Sequence, residues 1–299
     1  MNKSELKVSI VMPSYNHGHF IDKAIDSVIN QSFKDWEIVV VDNNSKDNTH
    51  EVLSRYKDIN LRILNIDNKG IIAASRNLGI TNSESDYIAF LDSDDLWYPN
   101  KLKVCLDLLE KGYDMVCHAE KWTGLGKEKN VIYGPEHKAS YDSLLFSGNC
   151  ISTSAVVLKK EVLTLVNGFS EESEFVTAED YDLWLRISKE NKKIGFVNEV
   201  LGEYRIHDNN QSKIDYKNMN AITSVLKFHL KQNEEKGINN YLRSKNCLAK
   251  VIYGKGRELQ KLGQFKKASV LFLRAITSFP LNIKFYIALI SSSFGIKLI

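Results

Sequence analysis

From Val8 to about Glu120 the chain alternates short apolar runs with stretches of helical period: Val8–Met12 then Phe20–Ile29, Glu37–Val41 then Asp47–Arg55, Leu61–Ile66 then Gly70–Ile80, Tyr87–Leu91 then Pro99–Glu110. A strand that is always followed by a helix can join the next strand only by crossing over a sheet face. The pattern therefore predicts an α/β fold whose sheet is largely parallel and flanked by helices. In the first helical stretch Phe20, Ile21, Ala24, Ile25, Val28 and Ile29 recur at spacings of three and four. That makes one apolar stripe to lie on the sheet. Open parallel sheets collect ligands beyond the carboxyl ends of their strands. Those ends are where this sequence turns polar, at Pro13–Asn16, Asp42–Ser45 and Asp92–Asp95.

Further on, the polar stretch Lys121–Ser140, with Gly124, Gly126, Gly134 and Pro135, has no clear period and reads as a surface loop. Strand patterns return at Ser154–Leu158, Lys193–Asn198 and Leu201–Ile206, with an amphipathic helix at Asp180–Lys189. Beyond about Lys213 everything reads as helix. The expected organisation is thus an α/β domain over 1–212 and an all-α extension over 213–299.

The 299 residues carry 40 basic and 37 acidic side chains, a net charge of +3, with no polybasic run. That balance argues against nucleic acid as a partner. Cys105, Cys117, Cys150 and Cys247 show neither CxxC pairing nor a disulfide framework, which fits a reducing cytosol. The first apolar run is short, is cut by Pro13 and lacks a cleavage site, so it reads as a buried strand and not a signal peptide. Walker, dinucleotide-glycine, HExxH and GxSxG patterns are absent.

The strongest chemical signal is Phe90-Leu91-Asp92-Ser93-Asp94-Asp95. Three carboxylates in four residues repel one another. A hard cation such as Mn2+ or Mg2+, completed by diphosphate oxygens, would relieve that repulsion. The competing reading is an acidic turn in which Asp94 or Asp95 caps the helix near Pro99.

Taken with Lys7–Asn16, Trp36–Ser45, Ser75-Arg76-Asn77-Leu78-Gly79 and the later Ala178-Glu179-Asp180, this cluster closely resembles the family 2 inverting glycosyltransferases in order and spacing. The resemblance implies a GT-A fold, a divalent metal and transfer from a nucleoside-diphosphate sugar, with UDP as the expected nucleotide. By the same resemblance Pro13 and Tyr15 would line the nucleoside pocket, Asp42 would bond the base, and Arg76 would sit near the base or the diphosphate. Asp92 would contact the ribose or the metal through water, Asp94 would ligate the metal, and Asp180 would be the catalytic base. His207, in Tyr204-Arg205-Ile206-His207 followed by Ser212, would help hold the metal or the diphosphate.

Elementary chemistry gives each assignment a reason and a rival. A carboxylate can accept the ring N–H of uracil or thymine, which cytosine lacks, but Asp42 can equally close a turn on its own backbone. A guanidinium can clamp phosphate, or pair with an acid such as Asp67 on a solvated helix face. Inverting transfer needs a base for the acceptor hydroxyl, yet Glu179, Asp180 and Asp182 would also favour a helix N-terminus without any catalytic duty. Where many family members have two acids and a glycine, this chain has Asp42-Asn43-Asn44, and Asn tolerates the left-handed turn. Trp184 and Leu185 read as core, and His17, His19 and His118 attract no role.

In the tail, Gly256, Gly263, Phe265, Ala268, Phe272, Ala275 and Pro280 fall at the small, aromatic and proline positions of one tetratricopeptide unit, about 249–282. The pair Gly254-x-Gly256 reads as close helix packing. The run from Phe285 onward is too short and interrupted to span a bilayer, so it either covers the helix pair or lies at a membrane surface through Lys284 and Lys297. The family resemblance implies an acceptor that is a glycan or lipid-linked hydroxyl in bacterial surface polysaccharide or glycolipid assembly, and the expected enzyme is cytoplasmic and able to dock on the inner face of the membrane. The rivals are a sugar-nucleotide synthetase, for which Ser14–His19 supplies no lysine or arginine, and an inactive interaction protein that works through its helical tail.

Overall fold

A computed structural model describes residues 8–207, 216–234 and 237–297. Ser212, the expected boundary at 212/213, Lys236 and the last two residues of the apolar tail lie outside the described residues. Two compact units emerge, one over residues 8–144 and 149–207, the other over residues 145–148 and 216–297.

In the first unit the strands are β1 Val8–Ser14, β2 Trp36–Asp42, β3 Leu61–Asn65, β4 Tyr87–Phe90, β5 Leu96–Trp97, β6 Met115–Gly124, β7 Lys127–Val131, β8 Val156–Lys159 and β9 Ile194–Arg205. The helices are α1 Ile21–Ile29, α2 Thr49–Leu53, α3 Ile72–Thr81, α4 Lys101–Glu110, α5 Tyr141–Ser147, α6 Lys160–Leu165 and α7 Glu179–Lys189. The last three residues of α5 group with the second unit.

β3, β2, β1 and β4 lie side by side and parallel. β1 and β2 are buried along their whole length, as strands covered on both faces must be. α1 and α2 step the chain from β1 to β2 to β3, and α3 carries it back past β1 to β4. The order therefore reverses between β1 and β4, which is where such sheets open a crevice at their carboxyl ends. Beyond β4 the sheet becomes mixed. β8 runs antiparallel between β4 and β6, β9 lies parallel to β6, and β5 closes antiparallel on β9.

One face packs Val8, Ile10, Met12, Ile38 and Val40 against Ile21, Ile25 and Val28 of α1 and Leu102 and Leu106 of α4. On the other face α3 comes so close that a Cβ on Gly79 would stand 2.5 Å from Val11.

Two expectations change. Lys121–Ser140 is not a featureless loop, because β6 runs on to Gly124 and pairs with β7 through Glu120↔Val131 to Gly124↔Lys127. The segments Lys193–Asn198 and Leu201–Ile206 are one strand. Its pairing with β6 jumps from His118↔Val197 to Ala119↔Val200, so Asn198 and Glu199 form a bulge that looks like a break in the sequence.

In the second unit the helices are α8 Tyr216–Glu234, α9 Ile238–Lys261, α10 Phe265–Ser278 and α11 Ile283–Ser293. Leu259, Ala268, Leu271, Phe272 and Ala288 make one small core, and Ala249, Ala275 and Phe285 a second. Of the two glycines in α9 only Gly256 is a packing site: a Cβ there would meet the Phe272 ring at 2.6 Å, whereas one on Gly254 meets nothing within 4 Å.

Candidate active site

The acidic cluster leaves the end of β4 as a tight turn, with Asp95 N–H donating to Asp92 O at 2.9 Å. Its three carboxylates meet three different surroundings. Asp95 is buried, accepts from Ser154 Oγ at 2.6 Å and from the Arg205 backbone at 3.0 Å, and so fastens the turn to the end of β9. Burial, and then the charges of Asp94, Glu120 and Asp92, hold its pKa well above the usual carboxylate range. Neither Asp94 nor Asp95 caps α4, which begins at Lys101 behind Asn100.

Asp92, partly exposed, takes both Arg76 contacts of one guanidinium nitrogen, at 2.9 and 3.2 Å. Arg76 is 4 % exposed and uses its other terminal nitrogen on Glu179 at 2.7 Å. Its guanidinium also stands 5.3 Å from the Phe169 ring centroid. The side chain is not on a solvated face beside Asp67. It joins α3, the acidic turn and the start of α7.

The neighbouring motif residues complete this anchor. Asn77 donates to Phe169 O at 2.9 Å and accepts from Phe169 N–H at 2.8 Å, while Ser75 Oγ accepts from Asn68 at 2.9 Å. The Ser-Arg-Asn-Leu-Gly run is thus an assembly device in which Gly79 supplies the close approach to β1.

Asp180 stands in the first turn of α7. Its Oδ2 accepts from Thr153 Oγ1 at 3.1 Å, and its Oδ1 accepts from Tyr181 N–H at 2.7 Å. Burial first, then the Glu179 carboxylate, push its pKa up to about 6 against the opposing pull of Arg76. A carboxyl raised in this way is more basic than an ordinary aspartate. Thr153 and Ser154 form a link that sequence reasoning missed. Thr153 holds Asp180, while Ser154 Oγ accepts from Asp92 N–H at 3.2 Å and donates to Asp95. Two small hydroxyl residues without a motif gave no signal.

Asp94 Oδ2 lies 3.0 Å from His207 Nε2. Burial raises the Asp94 pKa, but the His207 hydrogen bond and the charges of His17 and His207 outweigh it and leave the carboxyl below its ordinary value. His17, given no role from sequence, stands beside this pair. Its Nδ1 is 2.7 Å from Ser93 Oγ and its ring centroid is 6.1 Å from that of His207. A carboxylate oxygen and an imidazole nitrogen already within one hydrogen bond of each other suit a shared divalent cation. Among the described residues no third His, Cys, Asp or Glu joins them in a metal-holding group.

At the ends of β1 and β2, Pro13 is buried opposite Val41 and Tyr15 is 50 % exposed. Asn16 and Asn44 take φ of 54° and 52°, the left-handed turns that asparagine tolerates. Asp42 is fully buried. It accepts from Ser45 N–H at 2.9 Å and Ser45 Oγ at 2.5 Å, and His50 Nε2 lies 3.1 Å from its Oδ2. Its turn-closing function is therefore real, and the half-exposed His50 is in contact with its carboxylate.

Comparison with known proteins gives the family and the fold. Residues 9–144 match the model of glycosyl transferase family 2. The Escherichia coli protein named UDP-Glc:alpha-D-GlcNAc-diphosphoundecaprenol beta-1,3-glucosyltransferase WfgD is 34 % identical over 235 residues, covering 73 % of this chain and 85 % of its own length. The putative teichuronic acid biosynthesis glycosyltransferase TuaG of Bacillus subtilis is 31 % identical over 220 residues, covering 70 % and 83 %. Among solved structures, Staphylococcus aureus TarS 1–349 in complex with UDP-GlcNAc superposes with a TM-score of 0.65 at 17 % identity, over 97 % of this chain and 92 % of that one. The mannosyltransferase PcManGT of Pyrobaculum calidifontis, in complex with GDP-Man and Mn2+, gives 0.60 at 15 % identity over 97 % and 84 %. The fold is GT-A with added C-terminal helices, and the chain belongs to glycosyltransferase family 2.

Proposed function

We propose that this glycosyltransferase moves a sugar from a UDP-linked donor, with inversion, to a hydroxyl of a lipid-linked glycan in bacterial surface polysaccharide assembly. The observation that carries the proposal is the meeting, at the sheet's switch point, of the Asp94–His207 pair with a network that ties Asp92, Arg76, Glu179 and Asp180 together. UDP as donor nucleotide and a lipid-diphosphate-linked acceptor are supported by the activity for which WfgD is named. The UDP and UDP-GlcNAc complexes of TarS support the nucleotide further.

In this reading Pro13 and Tyr15 border the nucleoside, and Asp42 accepts the ring N–H of uracil once His50 has moved aside. Asp92 faces the ribose, its carboxylate held by Arg76. Asp94 and His207 would hold Mn2+ or Mg2+, which when bound would offset the charge of the diphosphate. Asp180 removes the proton of the acceptor hydroxyl as that oxygen forms its bond to the anomeric carbon. The bond from that carbon to the diphosphate oxygen breaks on the opposite face, and UDP leaves with the electron pair. Thr153 fixes the rotamer of Asp180, and Glu179 raises its basicity. The α9–α10 pair, with Gly256 and Gly263 at its small positions, is read as a single tetratricopeptide-like unit closed by α11.

The test is a panel of UDP-, TDP- and GDP-linked sugars, each scored for metal-dependent release of the nucleoside diphosphate. The proposal expects release from a UDP sugar. It fails if only another nucleotide is turned over, or if turnover persists unchanged in chelator.

A further inference from the structure

α11 is built inside out for a helix that meets only water. Its inner side carries Phe285 and Ala288, 1 % and 0 % exposed, and Ser292, whose hydroxyl donates to Phe265 O at 2.9 Å. Its outer side carries Ile283, Tyr286, Ile287, Ile290 and, at the C-cap, Phe294, which are between 38 and 75 % exposed. Spacings of three and four put these five on one stripe. Leu281, just before the helix, is 73 % exposed as well. A contiguous outward apolar stripe marks a surface made for contact.

Its charge says with what. From Leu259 to Ile299 the chain has no Asp or Glu, while Lys261, Lys266, Lys267, Arg274, Lys284 and Lys297 are all exposed. A second copy of this segment would bring the same cations and no carboxylate side chain to meet them. An anionic lipid surface complements both features, with apolar side chains entering the interface and lysines at the headgroups. Eleven residues cannot cross a bilayer, which takes about 20, and no described helix is long and apolar enough to do so.

We infer that the outer face of α11, with the basic residues of α10 and its flanks, docks on anionic bilayers. The surface and its charge belong to the helical unit alone. The inference deepens the proposed function by supplying a means for this chain to reach a surface that carries lipid-linked acceptors.

The experiment is sedimentation of the full chain with vesicles of phosphatidylglycerol and phosphatidylcholine, against vesicles of phosphatidylcholine alone, with no donor or metal present. Failure of the donor proposal therefore leaves this result untouched. Binding to the anionic vesicles only is expected. Ile287→Glu with Ile290→Glu should lower it by more than about tenfold, with an unchanged melting temperature and unchanged UDP-sugar hydrolysis. Should that variant fold poorly, Lys266→Ser with Lys267→Ser tests the same surface, at roughly fivefold lost per cation. Equal binding to both vesicle types, no binding, or binding that neither variant weakens would overturn the inference. So would a wild-type dimer in light scattering that Ile287→Glu with Ile290→Glu dissociates while vesicle binding stays unchanged.

Discussion

Among single residues, Asp180 combines an ordinary position with an unusual environment. Burial and Glu179 lift its pKa to about 6, so the ionised form that can act as a base is lost as pH falls through 6. The expected kcat/KM profile therefore declines about tenfold per pH unit below that point, and Asp180→Asn should lower kcat by about 10²–10⁴ while nucleotide affinity is kept. Stability runs the other way. Between the ordinary value of 3.8 and about 6 the folded state binds more protons than the unfolded one, so this group's contribution is present at low pH and lost as pH rises. Asp180→Asn should thus melt no lower than wild type at pH 8; a clearly lower melting temperature would contradict the assigned environment. Arg76 is the complementary case. Removing it in Arg76→Ala strands Asp92 and Glu179, and urea unfolding should report a loss of about 3–5 kcal/mol. Arg76→Lys should recover only part of that, since a point charge cannot serve two carboxylates as a guanidinium does. Asp92, Asp94 and Asp180 were singled out from their motifs, and the structure gives each a distinct set of partners at one end of the sheet. The Arg76–Glu179 pair and the Thr153–Ser154 bridge were not, because they join residues that are close only once β4, β8 and α7 are assembled.

At the level of elements, the parallel half of the sheet was readable because β1 and β2 are buried on both faces and so are mostly apolar, with only Ser9 and Glu37 interrupting Val8–Met12 and Trp36–Val41. The β6–β7 hairpin was not. Lys121, Thr123, Glu128 and Asn130 lie on its paired strands, and polar residues on an exposed ribbon have no period to detect. β9 was split in reading because its bulge is Asn198-Glu199, a pair that resembles a turn. The helical tail offers a sharper test, since two glycines one residue apart in α9 look alike in sequence and differ in space. Gly254→Ala meets open space and should stabilise the chain by about 0.5–1 kcal/mol through helix propensity. Gly256→Ala drives a Cβ into the Phe272 ring and should destabilise, by about 1–3 kcal/mol as an overpacked site. Thermal melts with the same sign for both would refute the close approach of α9 and α10.

Across the whole molecule the proposed ligand residues and the apolar tail belong to different compact units, so their contributions should separate in one experiment. Tyr15, Asp42, Asp94 and His207 all lie within residues 8–207, and Phe285 and Ala288 within the second unit. UDP with Mn2+ at about one hundred times Kd should add about 2.7 kcal/mol to the native state, or roughly 5–10 °C in melting temperature. A chain ended at Asn282 keeps every one of those ligand positions but uncovers Phe272, Ala268 and Ala275, which α11 helps to bury. Its melting temperature and solubility without ligand should fall, because an open helix pair exposes the face its neighbour covered. The increment given by UDP and Mn2+ should survive nearly unchanged. If the increment vanishes while the melting temperature stays the same, the nucleotide depends on α11 and the site has been placed in the wrong unit. If both are unchanged, α11 covers nothing that matters to the fold, and its inner residues pack without contributing stability.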